Sequence, residues 1–188
     1  MRFQKRQTKT SPGDYTLTIL PLTRAKLYLR ESNSDQDDVI TDLIHAAAQT
    51  LEAGLDFVID TNSLVYQYYD YFSGDGYMPI WHRYIVGTDL VVEYWDDSTW
   101  QTFASSNYRL DLASVPPKVF LANDADWPTD VSDDMNSVRI GFKVDVAHSF
   151  FDAAKAAMMA YVASRYENPE NSNGIPDEVT AFINRHKL

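Results

Sequence analysis

The side chains with the most chemical potential are four histidines, several groups of carboxylates and a run of tyrosines. The histidines are His45, His82, His148 and His186. None stands at the four-residue spacing that puts two imidazoles on one helix face, and none sits in a His-Glu-x-x-His frame. His45 falls between core positions of an expected helix, so its spacing argues for a structural place rather than a ligand. The carboxylates group as Asp35/Asp37/Asp38, Asp96/Asp97, Asp124/Asp126 and Asp130/Asp133/Asp134. Paired carboxylates can act as acid and base or hold a hard cation. Each group here falls in an expected turn or helix start, and none follows the spacing of a calcium loop. No phosphate loop, dinucleotide fingerprint or nucleophile elbow is present; Gly74-x-Gly76 alone is a turn signal. The chain has no cysteine, which excludes disulfides, thiolate metal sites and thiol nucleophiles. No enzymatic activity, cofactor or metal is expected.

The densest feature is aromatic: Tyr66, Tyr68, Tyr69, Tyr71, Phe72, Tyr77 and Trp81. Tyrosines can stack on single-stranded bases, but such grooves are also basic, and this segment carries Asp70 and Asp75. The alternatives are a sheet core or a face between subunits, the second formed by Tyr66, Tyr68, Tyr69, Tyr71 and Trp81. The net charge of −11 over 188 residues disfavours tight binding of DNA by the body of the protein. The first nine residues are the exception, with Arg2, Lys5, Arg6 and Lys9. No apolar run approaches a membrane span, and no apolar stretch follows the basic start as in a secretory signal. Synthesis in the cytoplasm and no membrane partner are expected.

The elements that must position these groups follow from periodicity and punctuation. Residues 1–20 read as an extended arm that reaches a neighbouring chain, with a turn at Ser11-Pro12-Gly13-Asp14. A helix is expected over 22–31 with Thr23 as N-cap. A second is expected over 35–54, capped by Ser34 and stopped by Gly54. Its apolar stripe is Ile40, Leu43, Ile44, Ala47 and Leu51, and Asp35, Asp37 and Asp38 lie where the helix dipole favours anions. Residues 57–144 read as an antiparallel β block. Its hairpin signals are Asp96-Asp97-Ser98-Thr99 and Ser114-Val115-Pro116-Pro117, and Pro79 is expected at a strand start or edge. Val138–Val144 reads as a strand with Arg139, Gly141 and Lys143 turned to water. A long helix over 149–167 ends at Asn168-Pro169. After a polar linker, Pro176, Asp177 and Glu178 open a short last helix with an apolar side of Val179, Phe182 and Ile183. The fold class is α+β: a helix pair, a block of hairpins, then a long and a short helix. The organisation expected is an arm (1–20), one domain (21–168) and a linker with a terminal helix (169–188).

The order of these signals resembles the head–tail connector (adaptor, or head-completion) proteins of long-tailed double-stranded DNA phages. The stretch Pro21-Leu22-Thr23-Arg24-Ala25-Lys26-Leu27-Tyr28-Leu29-Arg30 is similar to the family's first helix. Asp35-Gln36-Asp37-Asp38-Val39-Ile40 resembles its Asp-rich second start. Val92-Glu93-Tyr94-Trp95-Asp96-Asp97, then Trp100-Gln101-Thr102 and Asn107-Tyr108-Arg109-Leu110-Asp111, resembles its central hairpin and following strand. Ala153–Arg165 running into Tyr166-Glu167-Asn168 resembles its closing helix. The likeness covers about residues 20–170. It departs at Asp145-Val146-Ala147-His148, where the family has Gly-Tyr and a Pro, and in a longer tail.

The resemblance implies a structural protein of the virion neck. About a dozen copies would form a ring beneath the portal, extend the DNA channel and offer a docking surface to the next neck or tail-terminator protein. Double-stranded DNA would pass without specific binding, along an acidic wall including Asp35, Asp37 and Asp38. The terminal helix would dock on the portal through Val179, Phe182, Ile183 and Arg185. Other neck, tail-completion or baseplate proteins are the nearest alternative; a metal-dependent hydrolase and a single-strand-binding module are the others.

Overall fold

The computed structural model describes residues 7–9, 19–55, 58–59, 64–82, 84–122, 124–144, 149–170 and 174–187. Among them are four helices: α1 (Leu22–Leu29), α2 (Asp37–Leu55), α3 (Phe150–Glu167) and α4 (Asp177–His186). Eight strands are described: β1 (Gln7–Lys9), β2 (Val65–Tyr69), β3 (Tyr77–Pro79), β4 (Ile85–Trp95), β5 (Trp100–Phe103), β6 (Tyr108–Asp111), β7 (Lys118–Leu121) and β8 (Val138–Val144). The fold class is α+β, with the β strands from β2 to β8 falling between the two helix pairs in chain order. The chain divides into two compact units. One comprises Met1–Ser11 and Ser63–Asp145, the other Pro12–Asn62 and Val146–Leu188.

The helical unit is built on α2 and α3. The three- and four-residue steps in α2 bury Ile40, Ile44, Ala47, Ala48, Leu51 and Leu55. From α3, Phe150, Phe151, Ala154, Ala157, Met158 and Val162 are buried. The small alanines let the two helix backbones approach. Asp37 and Asp38 occupy the first turn of α2, where their charge meets the positive end of the helix dipole. Helix α1 begins one residue before the expected cap Thr23. Pro21 precedes it, and the Pro21 carbonyl accepts the amides of Arg24 and Ala25. Pro21 cannot itself donate, which costs nothing at a helix start.

Gly54 is expected to stop α2, yet the helix runs one residue past it. The glycine serves a different purpose. A Cβ there would lie 2.5 Å from Cδ1 of Ile183 on α4, so its bare backbone is the seat of that side chain. Helix α4 therefore packs on its own chain: Val179, Phe182 and Ile183 are all buried. The Phe150 ring meets Phe182 at 5.4 Å and His186 at 5.2 Å.

In the β unit, one antiparallel sheet has the order β1-β2-β8-β4-β5 and a second has the order β3-β7-β6. The two expected hairpins form, with β4 paired to β5 and β6 to β7. Pro79 ends β3, an edge strand of the second sheet, where its missing amide breaks no ladder bond. Of the expected N-terminal arm, Gln7–Lys9 pairs with β2 of the same chain, and Ile19 and Leu20 are buried. The rest of that arm and the segment 145–148 lie outside the described residues.

The sheet core collects Val65, Val92, Val138, Ile140 and Phe142 from the larger sheet, and Met78 and Val119 from the smaller. Within it Gln67 is fully buried. Its carboxamide N–H donates to the Tyr69 hydroxyl at 2.6 Å and to the Pro79 carbonyl at 3.1 Å. Its carbonyl accepts the Trp81 amide at 2.8 Å. The Tyr69 hydroxyl also donates to Pro79 at 2.6 Å. One side chain on β2 thus satisfies the backbone where β3 ends.

Candidate functional site

Strand β8 is not half-exposed to water as its alternation suggests. It lies in the middle of the five-stranded sheet, paired with β2 on one side and β4 on the other. The face carrying Arg139 and Gly141 is covered by aromatic rings. Tyr68 and Glu93 are the register partners of Arg139 across β2 and β4, so all three stand on one rung of the same face.

The geometry on that face is specific. The Arg139 guanidinium lies 4.2 Å from the Tyr66 ring centre and 3.9 Å from that of Trp100. Its Nε donates to Glu93 at 2.9 Å. Two ring faces and a carboxylate thus take up one cation, a stronger arrangement than an exposed ion pair. Burial alone would lower the guanidinium pKa, but the hydrogen bond and charge of Glu93 outweigh it, so the net shift is upward and Arg139 stays charged. Burial, and then the Glu93 charge, raises the Tyr66 phenol. Tyr68 meets Trp100 edge-on at 6.3 Å, and Trp95 packs against Trp100 at 5.8 Å. The Tyr66 ring can lie across β8 because its partner there is Gly141. A Cβ on Gly141 would stand 2.7 Å from Val91 and 2.8 Å from the Tyr66 ring.

This patch of half-buried Tyr66, Tyr68, Trp95 and Trp100 around one satisfied charge has the make-up of an interface centre. Sequence reasoning named Tyr66 and Tyr68 as candidates for a face between subunits and did not name Arg139, Glu93 or Trp100, which the sheet gathers around them. The available signal was a lone arginine inside an otherwise apolar strand run, which has to be paired wherever it is covered.

The other expected interface residues scatter. Tyr69 is a correction: it is 1% exposed, because alternation turns it into the core, and burial holds its phenol well above the usual range. Tyr71 is 48% exposed and lines a separate pocket of about 350 Å3 with Phe72, Trp127 and Pro128. Trp81 is half-buried where its amide meets Gln67. Of the expected portal-docking set, Val179, Phe182 and Ile183 are covered by α2 and α3 of their own chain, and only Arg185 is exposed. An amphipathic stripe looks the same whether its partner is the same chain or another. Asp35 and Asp38 are exposed, whereas Asp37 is paired with Lys26 near the end of α1.

The carboxylate groups build turns. Asp96 accepts the backbone amides of Ser98 at 3.0 Å and Thr99 at 2.8 Å, the Ser98 hydroxyl at 2.7 Å and the Gln101 side-chain Nε2–H at 2.7 Å. Those bonds hold its pKa far below the usual carboxylate range. Asp111 is lowered in the same way, chiefly by the Ser114 hydroxyl and then the Ala113 amide. Both groups bind their proton less tightly folded than unfolded. Their stabilising effect is therefore complete above the unfolded carboxylate pKa of about 3.9 and is lost as pH falls below it. Thermal melts between about pH 7 and pH 2 are expected to show Asp96→Asn less stable at neutral pH and less sensitive to acid. Parallel curves for the variant and the parent would refute this role.

The His82 ring is buried. Its Nδ1 accepts the Tyr84 amide at 3.1 Å, and the ring packs on Phe142. His186 lies against Phe150 and Phe182. Among the described residues no group of three or more His, Asp or Glu could hold a metal ion. Nor is any helix among them long and apolar enough to cross a membrane.

No protein-family model matches the chain, and no curated protein matches it. Solved structures do. The chain is similar to a chain in the neck of an empty GTA particle computed with C6 symmetry, with a TM-score of 0.69 at 17% identity. It is similar to one in the virion of a native gene transfer agent (GTA) particle, with a TM-score of 0.69 at 16% identity. It is also similar to one in the neck of a native GTA particle computed with C12 symmetry, with a TM-score of 0.68 at 15% identity. Each likeness covers 97% of this chain and 95% of the other. At such identities what is shared is the fold, over nearly its whole length.

Proposed function

We propose that this protein is a structural, non-enzymatic subunit of the neck of a tailed-phage-like particle, a head–tail adaptor that closes into a ring of about 12 copies beneath a portal. The observation that carries the reading is the end-to-end fold likeness to chains of GTA necks and virions. The order of motifs in the sequence supports it independently. So does a surface that spends its aromatic residues on a broad face rather than a reaction centre.

A closed ring of identical subunits joins two different patches on each copy. One is the face of Tyr66, Tyr68, Trp100 and Arg139. A candidate for the other is α1, where Leu27 is 73% exposed and Tyr28 57%. Exposed Asp35 and Asp38 are assigned to a channel wall past which DNA slides. Twelve copies at −11 each would carry on the order of −130 charges, which repel phosphate and discourage sticking. Docking to the portal falls to the exposed side of α4, including Arg185, since its apolar side is already covered. The tail-side neighbour would meet the opposite rim.

Mass photometry of the purified protein, alone and with a portal, tests the reading. A species near twelve subunits, or a complex of that stoichiometry on the portal, is expected. Six copies would favour another neck or tail-completion level; a chain that neither rings nor binds a portal would reject the proposal. Tyr68→Ala is expected to weaken assembly at least about tenfold, as loss of a buried interface tyrosine does, with little change in the melting temperature.

A further inference from the structure

Two small surfaces of this chain are each incomplete in a complementary way. Residues 22–30 hold Arg24, Lys26 and Arg30 and no carboxylate. Lys26 is taken up by Asp37. Arg24 and Arg30 are exposed and in no ion pair among the described residues. Arg24, Leu27 and Tyr28 stand three and four residues apart, so they share one side of α1, and all three are exposed while Ala25 is buried. In a chain of net charge −11, this is an apolar strip flanked by unpaired positive charge.

The second surface has the opposite make-up. Residues 124–135 hold five aspartates and no Lys or Arg. At their end Asp133, Asp134 and Met135 are exposed in succession, Met135 at 74%. The turn that carries them is pinned. The Ser132 amide donates to the Trp95 carbonyl at 2.8 Å, the Asp134 amide to the Ser132 hydroxyl at 3.2 Å, and the Asn136 amide to the Asp70 carboxylate at 3.1 Å. The Ser137 hydroxyl donates to the Asp134 carbonyl at 2.6 Å, and Asn136 closes the turn in the left-handed region, with φ of 64°. Those bonds fix the backbone, yet neither Asp133 nor Asp134 is in an ion pair among the described residues. A pinned turn that presents two bare charges and an apolar side chain is preorganised for a partner. It also borders the aromatic face, because Trp95, which anchors it, packs against Trp100 at 5.8 Å.

We propose that these two surfaces meet between copies: α1 of one chain seats on the 133–135 turn of the next, with Arg24 and Arg30 against Asp133 and Asp134, and Leu27 and Tyr28 against Met135. The contact rests on the ring reading and gives the ring a direction, since the two patches differ and every copy offers one of each. Charge complementarity selects a second copy as the occupant. The Met135 thioether against the Tyr28 ring adds apolar contact. The charges lie in water, so the contact weakens as salt is raised.

The absence of cysteine makes the contact readable on pairs of chains. One chain carries Tyr28→Cys and the other Met135→Cys, so a bridge between the two is always intermolecular. A short bis-maleimide is expected to join them at least about tenfold faster than it joins Tyr28→Cys to Thr88→Cys, an exposed position on β4, because docking raises the local concentration of the second thiol. Adding Arg24→Glu and Arg30→Glu to the first chain, or Asp133→Lys and Asp134→Lys to the second, is expected to remove that advantage. Making both reversals is expected to restore it. All four positions are exposed, and an unchanged melting temperature verifies that each variant folds. Equal rates for the two pairs, or a loss that the double reversal does not rescue, would overturn the contact. So would rings that still form with either reversal while portal binding falls. Mass photometry of the parent judges the ring separately. Bridges that follow the charges without rings leave the contact standing and reject the ring; rings whose bridges ignore the charges do the reverse.

Discussion

Gly141→Val is expected to unfold the β unit or to lower its stability by at least about 3 kcal/mol, the upper end of overpacking costs. Gly141 sits mid-way along β8, the central strand of the larger sheet. A first carbon there would already stand 2.7 Å from Val91 and 2.8 Å from the Tyr66 ring. The two valine methyls that follow have nowhere to go while Tyr66 lies across the strand. Backing Tyr66 away uncovers Arg139, whose charge is held by that ring, Trp100 and Glu93. The ordinary rule runs the other way: glycine inside a strand is weak, and a β-branched residue should help. A stabilised Gly141→Val protein in denaturant titration would therefore show that Tyr66 does not close over β8. Combining it with Tyr66→Ala separates the clash from a backbone effect. The double variant is expected to recover part of the loss, because the two changes act at one contact.

Arg139 and Gly141 also mark where sequence reading stopped. The alternation of Val138–Val144 correctly placed one face of the strand in a core, but it cannot say what covers the other. The covering groups come from Tyr66 on β2, Glu93 on β4 and Trp100 on β5, brought together only by the strand order β2-β8-β4-β5. Local signals fared better. The Ile40–Leu51 stripe and the hairpin signals at Asp96–Thr99 and Ser114–Pro117 each depend on residues a few positions apart; the hairpins formed as read, and the stripe did except that Leu43 is only half-buried. The Pro176 start of the last helix did too.

Gly54 and α4 illustrate the opposite limit. A glycine near a helix end is usually a terminator, and an amphipathic terminal helix after a polar linker reads as a docking element. Both expectations yield to one packing event, the seating of Ile183 on Gly54. The stripe on α4 was legible; the identity of its partner was not, because burial against the same chain and against another uses the same residues. Tyr69 was misplaced for a related reason. Tyrosine suits both a core and an interface, and only the pairing of β2 decides which way each ring in Tyr66–Tyr71 turns.

Gln67→Leu is expected to cost about 2 kcal/mol, although leucine fills nearly the same volume. Gln67 is 0% exposed. Its carbonyl accepts the Trp81 amide, and its N–H groups reach Tyr69 and Pro79. Leucine leaves that part-buried amide without the Gln67 acceptor, and a stranded donor costs up to about 1–3 kcal/mol when fully buried. The Tyr69 hydroxyl keeps its own bond to the Pro79 carbonyl, so that end is only partly stranded. Tyr69→Phe alone is therefore expected to cost about 1 kcal/mol, the net worth of one ordinary bond. The two changes together should not simply add, since both remove the Gln67–Tyr69 bond and only the double variant strips the Pro79 carbonyl of both donors. The network spans the larger sheet and the end of β3, so Gln67→Leu should release β3 before the rest. Hydrogen exchange at Met78 and Ile80 is expected to rise further than at Ile140 or Phe142. If stability falls but protection drops uniformly across both sheets, Gln67 is an ordinary core residue and does not tie the end of β3 to the sheet beneath it.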